Sequence, residues 1–366
     1  MMKNQCKKPF AAILLASAVA VAGLSLAAGN ATADLSQIPT PFSFNLVALG
    51  NVGTSSSPKT ADVQGTAAIV GNLFGSGWSS GLDVSQSSTA GYSLYVGGTA
   101  SFAKGSIGAN GMQVNGNVTL DNFGDSTSEP VVSGGNLYGT DSGTLAGPVT
   151  LAGTNQSQLT IQGTLTQNQA YNPAFNPTTL TNYFDNLSSQ YSALTPTLPV
   201  ANTVNKYGTL TISSANSGVQ VLDLPAGEFG SSSSVIHTVA VNFSGGSTAS
   251  NYLIINLPDT ALTLNYITFT FSGISASHVL VNAGNLSTFT LNQGGNYNLL
   301  APLANTNYSS GSFAGNLIVN NLTGGGESDL GSFFTPPPIS TQTPEPAAIA
   351  FLAMGVVGFM LMRKRA

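Results

Sequence analysis

The residues of this chain best placed to do chemistry are the oxygen donors of Asp121-Asn122-Phe123-Gly124-Asp125 with Glu129. Calcium takes roughly six to eight oxygen ligands, and Asp121, Asp125 and Glu129 would bring three carboxylates to one short stretch. The spacing is not that of an EF-hand loop, and a solvated acidic turn accounts for the same residues. His237 and His278 each stand alone in an apolar strand run, and no His-x-x-x-His or Glu-x-x-His occurs. That pattern argues against zinc or iron and for hydrogen-bonded structural histidines. A serine nucleophile lacks its Gly-x-Ser-x-Gly elbow, since Gly75-Ser76-Gly77 and Gly311-Ser312-Phe313 fail the spacing. Glycosidases need two facing carboxylates, and none here is marked by context. The Thr-x-Thr pairs Thr164/Thr166, Thr209/Thr211, Thr268/Thr270 and Thr288/Thr290 would order water or ice if ranked on one flat face. Their uneven spacing speaks against it, and threonine also favours strands for its own reasons. The expectation is a protein without catalytic residues, cofactor or metal.

Charge narrows the partners. Between Asp34 and Pro346 the cations are Lys59, Lys104 and Lys206, against all 14 acidic residues of the chain, and there is no arginine. Nucleic acid is excluded as a partner, because a polyanion needs a basic footprint. A uronate lyase would also need cations beside its base. Few charges with much Gly, Ser, Thr and Asn, and 42% apolar residues, describe an extracellular β protein.

The elements that must position any site follow a loose repeat. An apolar triplet runs into Gly-Asn or Gly-Gly at Leu46–Asn51, Ala68–Asn72, Leu94–Gly98, Met112–Asn117 and Val131–Asn136. Gly50, Gly71, Gly97, Gly116 and Gly135 are 21, 26, 19 and 19 residues apart. One strand and one turn per unit of this length predicts a β-solenoid, the turns drawing on the positive φ that Gly and Asn tolerate. A β-sandwich with Gly-rich turns is the competing architecture. Over 177–194, Leu180, Tyr183, Phe184, Leu187, Tyr191 and Leu194 recur at steps of 3 and 4. That spacing predicts one amphipathic helix, capped by Asn176 and lying along the flank of the β body. Strands resume beyond it, and in Leu262–Phe271 the apolar phase switches between Tyr266 and Ile267, which requires a bulge or corner. Gly331–Thr343 reads as a Pro-rich spacer.

The two ends carry addresses. Lys3, Lys7 and Lys8, the apolar run Ala11–Ala28 and the small-x-small site Ala31-Thr32-Ala33 describe a signal peptide over 1–33; an uncleaved anchor is the alternative. Cys6 leaves with it, so the mature chain has no thiol. At the other end stand Pro344-Glu345-Pro346, an apolar run 347–362 fit for a single transmembrane helix, and Arg363-Lys364-Arg365. That tail resembles the PEP-CTERM sorting signal of Gram-negative bacteria that make exopolysaccharide. The resemblance implies recognition by the membrane enzyme exosortase and transient anchorage in the cell envelope. Phe44–Asn51 and Ala61–Asn72 resemble the opening of the choice-of-anchor A domain, over roughly 42–330. That family implies an irregular, ice-binding-like β-helix with one flanking helix and an adhesive role, with no catalytic residues to carry over. The expectation is therefore an all-β, exported, non-catalytic adhesin or matrix component of a biofilm. An ice-binding adhesin is the alternative and a carbohydrate-active enzyme the third reading; the Tyr residues and Trp78 are expected to stack on sugars.

Overall fold

The computed structural model describes residues 41–337, apart from 82–90, 109, 124–128, 142, 174, 200–207 and 230–235. These belong to the larger of two compact units, Gln37–Ala366. The expected signal peptide with Ala31 and Ala33, and the expected sorting tail with Pro344, Glu345, Pro346, Arg363, Lys364 and Arg365, lie outside the described residues. Among the described residues no helix is long and apolar enough to cross a membrane.

Every strand pairing described is parallel, so the chain forms a β-solenoid and not an antiparallel sandwich. Its coils visit three faces in the order A, B, C. Face A holds β1 (Leu46–Ala48), β2 (Ala67–Ile69), β4 (Leu94–Val96), β6 (Met112–Val114), β8 (Val131–Ser133), β11 (Val149–Leu151), β13 (Leu165–Thr166), β15 (Val219–Asp223), β17 (Tyr252–Asn256), β20 (Val279–Asn282), β23 (Asn298–Tyr308) and β25 (Leu317–Thr323). Face B holds the first halves of β3 (Leu73–Ser80) and β5 (Ala100–Ile107), whose ends turn onto face C, with β7 (Val118–Asp121), β9 (Leu137–Tyr138), β18 (Ala261–Leu264), β21 (Thr288–Leu291) and the second halves of β23 and β25. Face C holds β10 (Thr144–Leu145), β12 (Thr160–Ile161), β14 (Thr209–Ser214), β16 (Thr238–Phe243), β19 (Thr268–Ser272), β22 (Gly294–Gly295), β24 (Ser312–Ala314) and β26 (Glu327–Asp329). The phase switch in Leu262–Phe271 is the corner between β18 and β19.

The stacking order is not the chain order. From β1 the first half winds outward through β2 to β13, and the second half returns from β15 to β25. Leu46 therefore pairs with Ala67 on one side and with Leu317 on the other. Chain start and chain end meet in the middle of the sheet. The helix α1 (Pro177–Ser192) falls between the two halves and packs across β17, β20 and β23. Asn176 caps it, its Oδ1 accepting from the Thr178 and Thr179 amides at 3.0 and 3.3 Å.

Burial follows from that arrangement. Core side chains fill the inside of the coils, and cover on the outer side buries β1, β2, β4 and β6 at every position. Such strands favour continuous apolar triplets, the repeat seen in the sequence; β6 instead buries Gln113, whose Nε2 donates to the Asn172 carbonyl at 3.1 Å. Part of that cover is an edge-to-face cluster of Phe42 with Phe184 and Phe334, at 5.4 and 5.1 Å between centroids.

The repeated glycines serve a different purpose from the one expected. None of Gly50, Gly71, Gly97, Gly116 and Gly135 has a positive φ, and neither has the asparagine after any of them; the left-handed residues lie elsewhere, among them Gly77, Lys104 and Gly105 at the bends within β3 and β5. The repeated glycines mark where coils touch. Asn321 Oδ1 accepts from the Asn51 amide, Asn51 from Asn72, and Asn72 from Thr99; further along, Asn117 accepts from Asn136 and Asn136 from Thr154. A Cβ on Gly50, Gly71, Gly98 or Gly135 would overlap the asparagine oxygen of the coil beneath. The Gly-Asn pair is an A/B corner that both makes the ladder and leaves room for it.

Candidate functional site

The acidic stretch does not assemble a cation site among the described residues. Asp121 Oδ1 accepts from the Thr140 amide and hydroxyl at 2.8 and 3.0 Å, and Glu129 Oε2 accepts from the Asn110 amide at 2.9 Å. Both carboxylates bind neighbouring coils together, and Asp125 lies outside the described residues. His278 is structural, with Nδ1 3.0 Å from the Asn251 carbonyl and its ring stacked on Tyr252 at 4.1 Å. His237 is exposed at the start of face C. Trp78 corrects an expectation: it is fully buried and stacked on Phe102, so it offers no platform to a sugar.

What the solenoid does bring together is a set of small polar side chains that the sequence scatters. On face C, Thr209, Thr238 and Thr268 stand in register, then Thr211, Ala240 and Thr270, then Ser213, Asn242 and Ser272. The intervening Leu210, Ile212, Val239, Val241 and Phe269 point into the core. Parallel strands lie about 4.8 Å apart and alternate residues about 6.6 Å apart, so the nine positions form a regular lattice. No charged side chain stands in it. Its third row, with Ser214, Ala215, Phe243 and Ser244, lines a groove of about 420 Å³ across the three strands. Tyr266, 44% exposed, stands at the corner leading into β19.

Face B repeats the pattern: Thr288 and Thr290 pair with Ala261 and Thr263 on one side and with Asn305 and Asn307 on the other. The pair Thr164/Thr166 belongs to the terminal strand of face A and joins neither rank. Unequal coil lengths hid these ranks. Thr209 to Thr238 is 29 residues and Thr238 to Thr268 is 30, whereas Leu299 to Leu317 is 18. The signal that could have found them lies within the strands. TLTISS, TVAVNF and TFTFS align as Thr, apolar, small, apolar, polar.

Over β14, β16 and β19 the parallel solenoid thus presents an uncharged array of mainly small polar side chains. The chain belongs to the family described as "Putative Ice-binding-like adhesive domain", whose model matches residues 42–330. Among solved structures it is similar to the crystal structure of an ice binding protein from an Antarctic bacterium, Flavobacteriaceae. The identity is 14%, with 79% of this chain and 81% of that chain covered and a TM-score of 0.24. No curated protein matches the chain.

Proposed function

We propose that this is an exported, surface-displayed, non-catalytic adhesin that holds an extended hydroxyl-rich polymer along face C, with exopolysaccharide as the ligand class. The observation that carries it is the uncharged three-by-three lattice running into the groove of Ser213, Asn242 and Ser272. A neutral polysaccharide meets alternating donors and acceptors there without desolvating a charge. The adhesive family to which the chain belongs supports the same reading. The leader 1–33 would deliver the chain. Of the expected spacer 331–343, Phe334 and Thr335 are packed on the body, so only the part beyond them would hold the body off the membrane. The tail 344–366 would present Pro344-Glu345-Pro346 to exosortase. The helix 347–362 with Arg363-Lys364-Arg365 would anchor it transiently in a Gram-negative envelope, and a structural role in a biofilm matrix follows.

A second reading has one observation in its favour. The rank Thr209–Thr238–Thr268 is the aligned array that ice binding needs, and the objection from uneven spacing fails once loops are set aside. One experiment separates the two. The protein and a Thr211→Tyr/Thr270→Tyr variant are compared for binding to the producer's exopolysaccharide and for inhibition of ice recrystallisation. Polysaccharide binding that weakens at least about tenfold in the variant, without ice activity, supports the adhesin. Ice activity lost in the variant promotes the second reading instead.

A further inference from the structure

The C-terminal half of α1 does not lie flush on the coils. Between it and the turns that follow β20 and interrupt β23 is a cleft of about 540 Å³, within the size range of small-ligand sites. Asp185, Ser189 and Ser192 line it from the helix, spaced so that they share one face. Gly284, Pro302 and Leu303 line the opposite wall. Three features set this cleft apart from an accidental gap. Asp185 Oδ1 is out of solvent and has no hydrogen-bond partner, a state that costs free energy until a donor arrives. Leu303 is 51% exposed, an apolar side chain left standing at the rim. A Cβ on Gly284 would come within 2.7 Å of Ser188 Oγ and 3.3 Å of Ser192 Oγ, so the glycine keeps the floor open.

We propose that this cleft binds a single neutral saccharide unit, whose hydroxyl donates to Asp185 while its C–H face covers Leu303 and Pro302. The inference rests on the saccharide reading above and adds a second contact for the same polymer, on the side of the body that carries the helix. Ser192 accepts from Asn282 Nδ2 at 3.0 Å and keeps its own hydrogen for a sugar oxygen. A uronate carboxylate brought against the Asp185 carboxylate would be a like-charge contact, and no cation stands among the lining residues to offset it. Acidic sugars are therefore selected against.

The test titrates the full chain with labelled linear hexasaccharides of glucose, mannose and galactose, and with hexagalacturonate. At least one neutral hexasaccharide binds, and Asp185→Asn and Leu303→Ser each weaken it about tenfold with an unchanged unfolding midpoint. Asp185→Asn keeps the shape of the side chain and Leu303 is half exposed, so an unchanged unfolding midpoint is the expected control. The Thr211→Tyr/Thr270→Tyr variant keeps hexasaccharide binding. If the array variant loses binding while Asp185→Asn and Leu303→Ser retain it, the cleft is wrong and the face C reading stands. Preference for hexagalacturonate, or no binding of any hexasaccharide, also overturns the proposal.

Discussion

Lys59 is the most unusual single residue of the body. It is 1% exposed, its Nζ donates to the Gly326 carbonyl, and it lies 5.9 Å from the centroid of the Tyr308 ring. Burial holds its amine down to about 8 from an ordinary 10.5, and the attraction of Asp62 and Glu327 recovers only part of that. Between about pH 8 and 10.5 the unfolded chain holds the proton and the folded chain does not, so stability rises with pH through that window. Holding the charged amine below pH 8 costs about 3 kcal/mol. Wild-type protein should therefore show a thermal midpoint that climbs from pH 8 to 10 relative to Lys59→Met, which titrates nothing there. Parallel midpoints for the two proteins across that range would refute the argument. Nothing in the sequence marks Lys59, because its burial depends on Gly326, a residue 267 positions away.

At the level of elements, the helix was legible and its fastening was not. Apolar steps of 3 and 4, Asn176 before Pro177 and the prolines at 196 and 199 mark α1 by local rules alone. What holds it is a row of buried polar groups at the ends of face A strands. Asn282 Nδ2 shares its two hydrogens among the Ser188 carbonyl, Ser192 Oγ and Asn256 Oδ1, at 3.1, 3.0 and 2.9 Å, and Asn282 Oδ1 accepts from Ser188 Oγ at 2.7 Å. Asn256 continues the row to Asp223 Oδ1 and the Tyr191 carbonyl. Asn282→Ala strands several of these groups at once and should cost about 3 kcal/mol, read as a lower denaturant midpoint. Loss should be smaller in Ser192→Ala, which removes one acceptor at an exposed position. The triplet repeat was equally legible, since a strand covered on both sides is apolar except where a polar side chain such as Gln113 finds a partner. The reason for its glycines was not, because the atoms they clear, an Asn oxygen at Gly50, Gly71 and Gly135 and a backbone carbonyl at Gly97 and Gly116, belong to another coil.

At the level of the whole body, order along the chain and order in space part company. Strand content and coil repeat can be read locally, whereas the junction of β1 with β25 joins residues some 270 apart, as in Leu46 with Leu317. The exit of the chain is pinned at the same place. Phe334 is 2% exposed against Phe42 and Tyr191, its amide donates to Asn316 Oδ1, and the Thr335 amide donates to the Ser277 carbonyl at 2.7 Å. Phe334→Ala should cost about 3–4 kcal/mol, measured by equilibrium unfolding. The junction also decides how the body bears tension. A solenoid pulled from a terminal coil peels one ladder at a time, each step weak. Here a load on the tail reaches β26 and β25, which pair with β24 and β23 on one side and with the first coil on the other. Two ladders must shear together before anything unwinds, and the outermost coils, where peeling would begin, never carry the load.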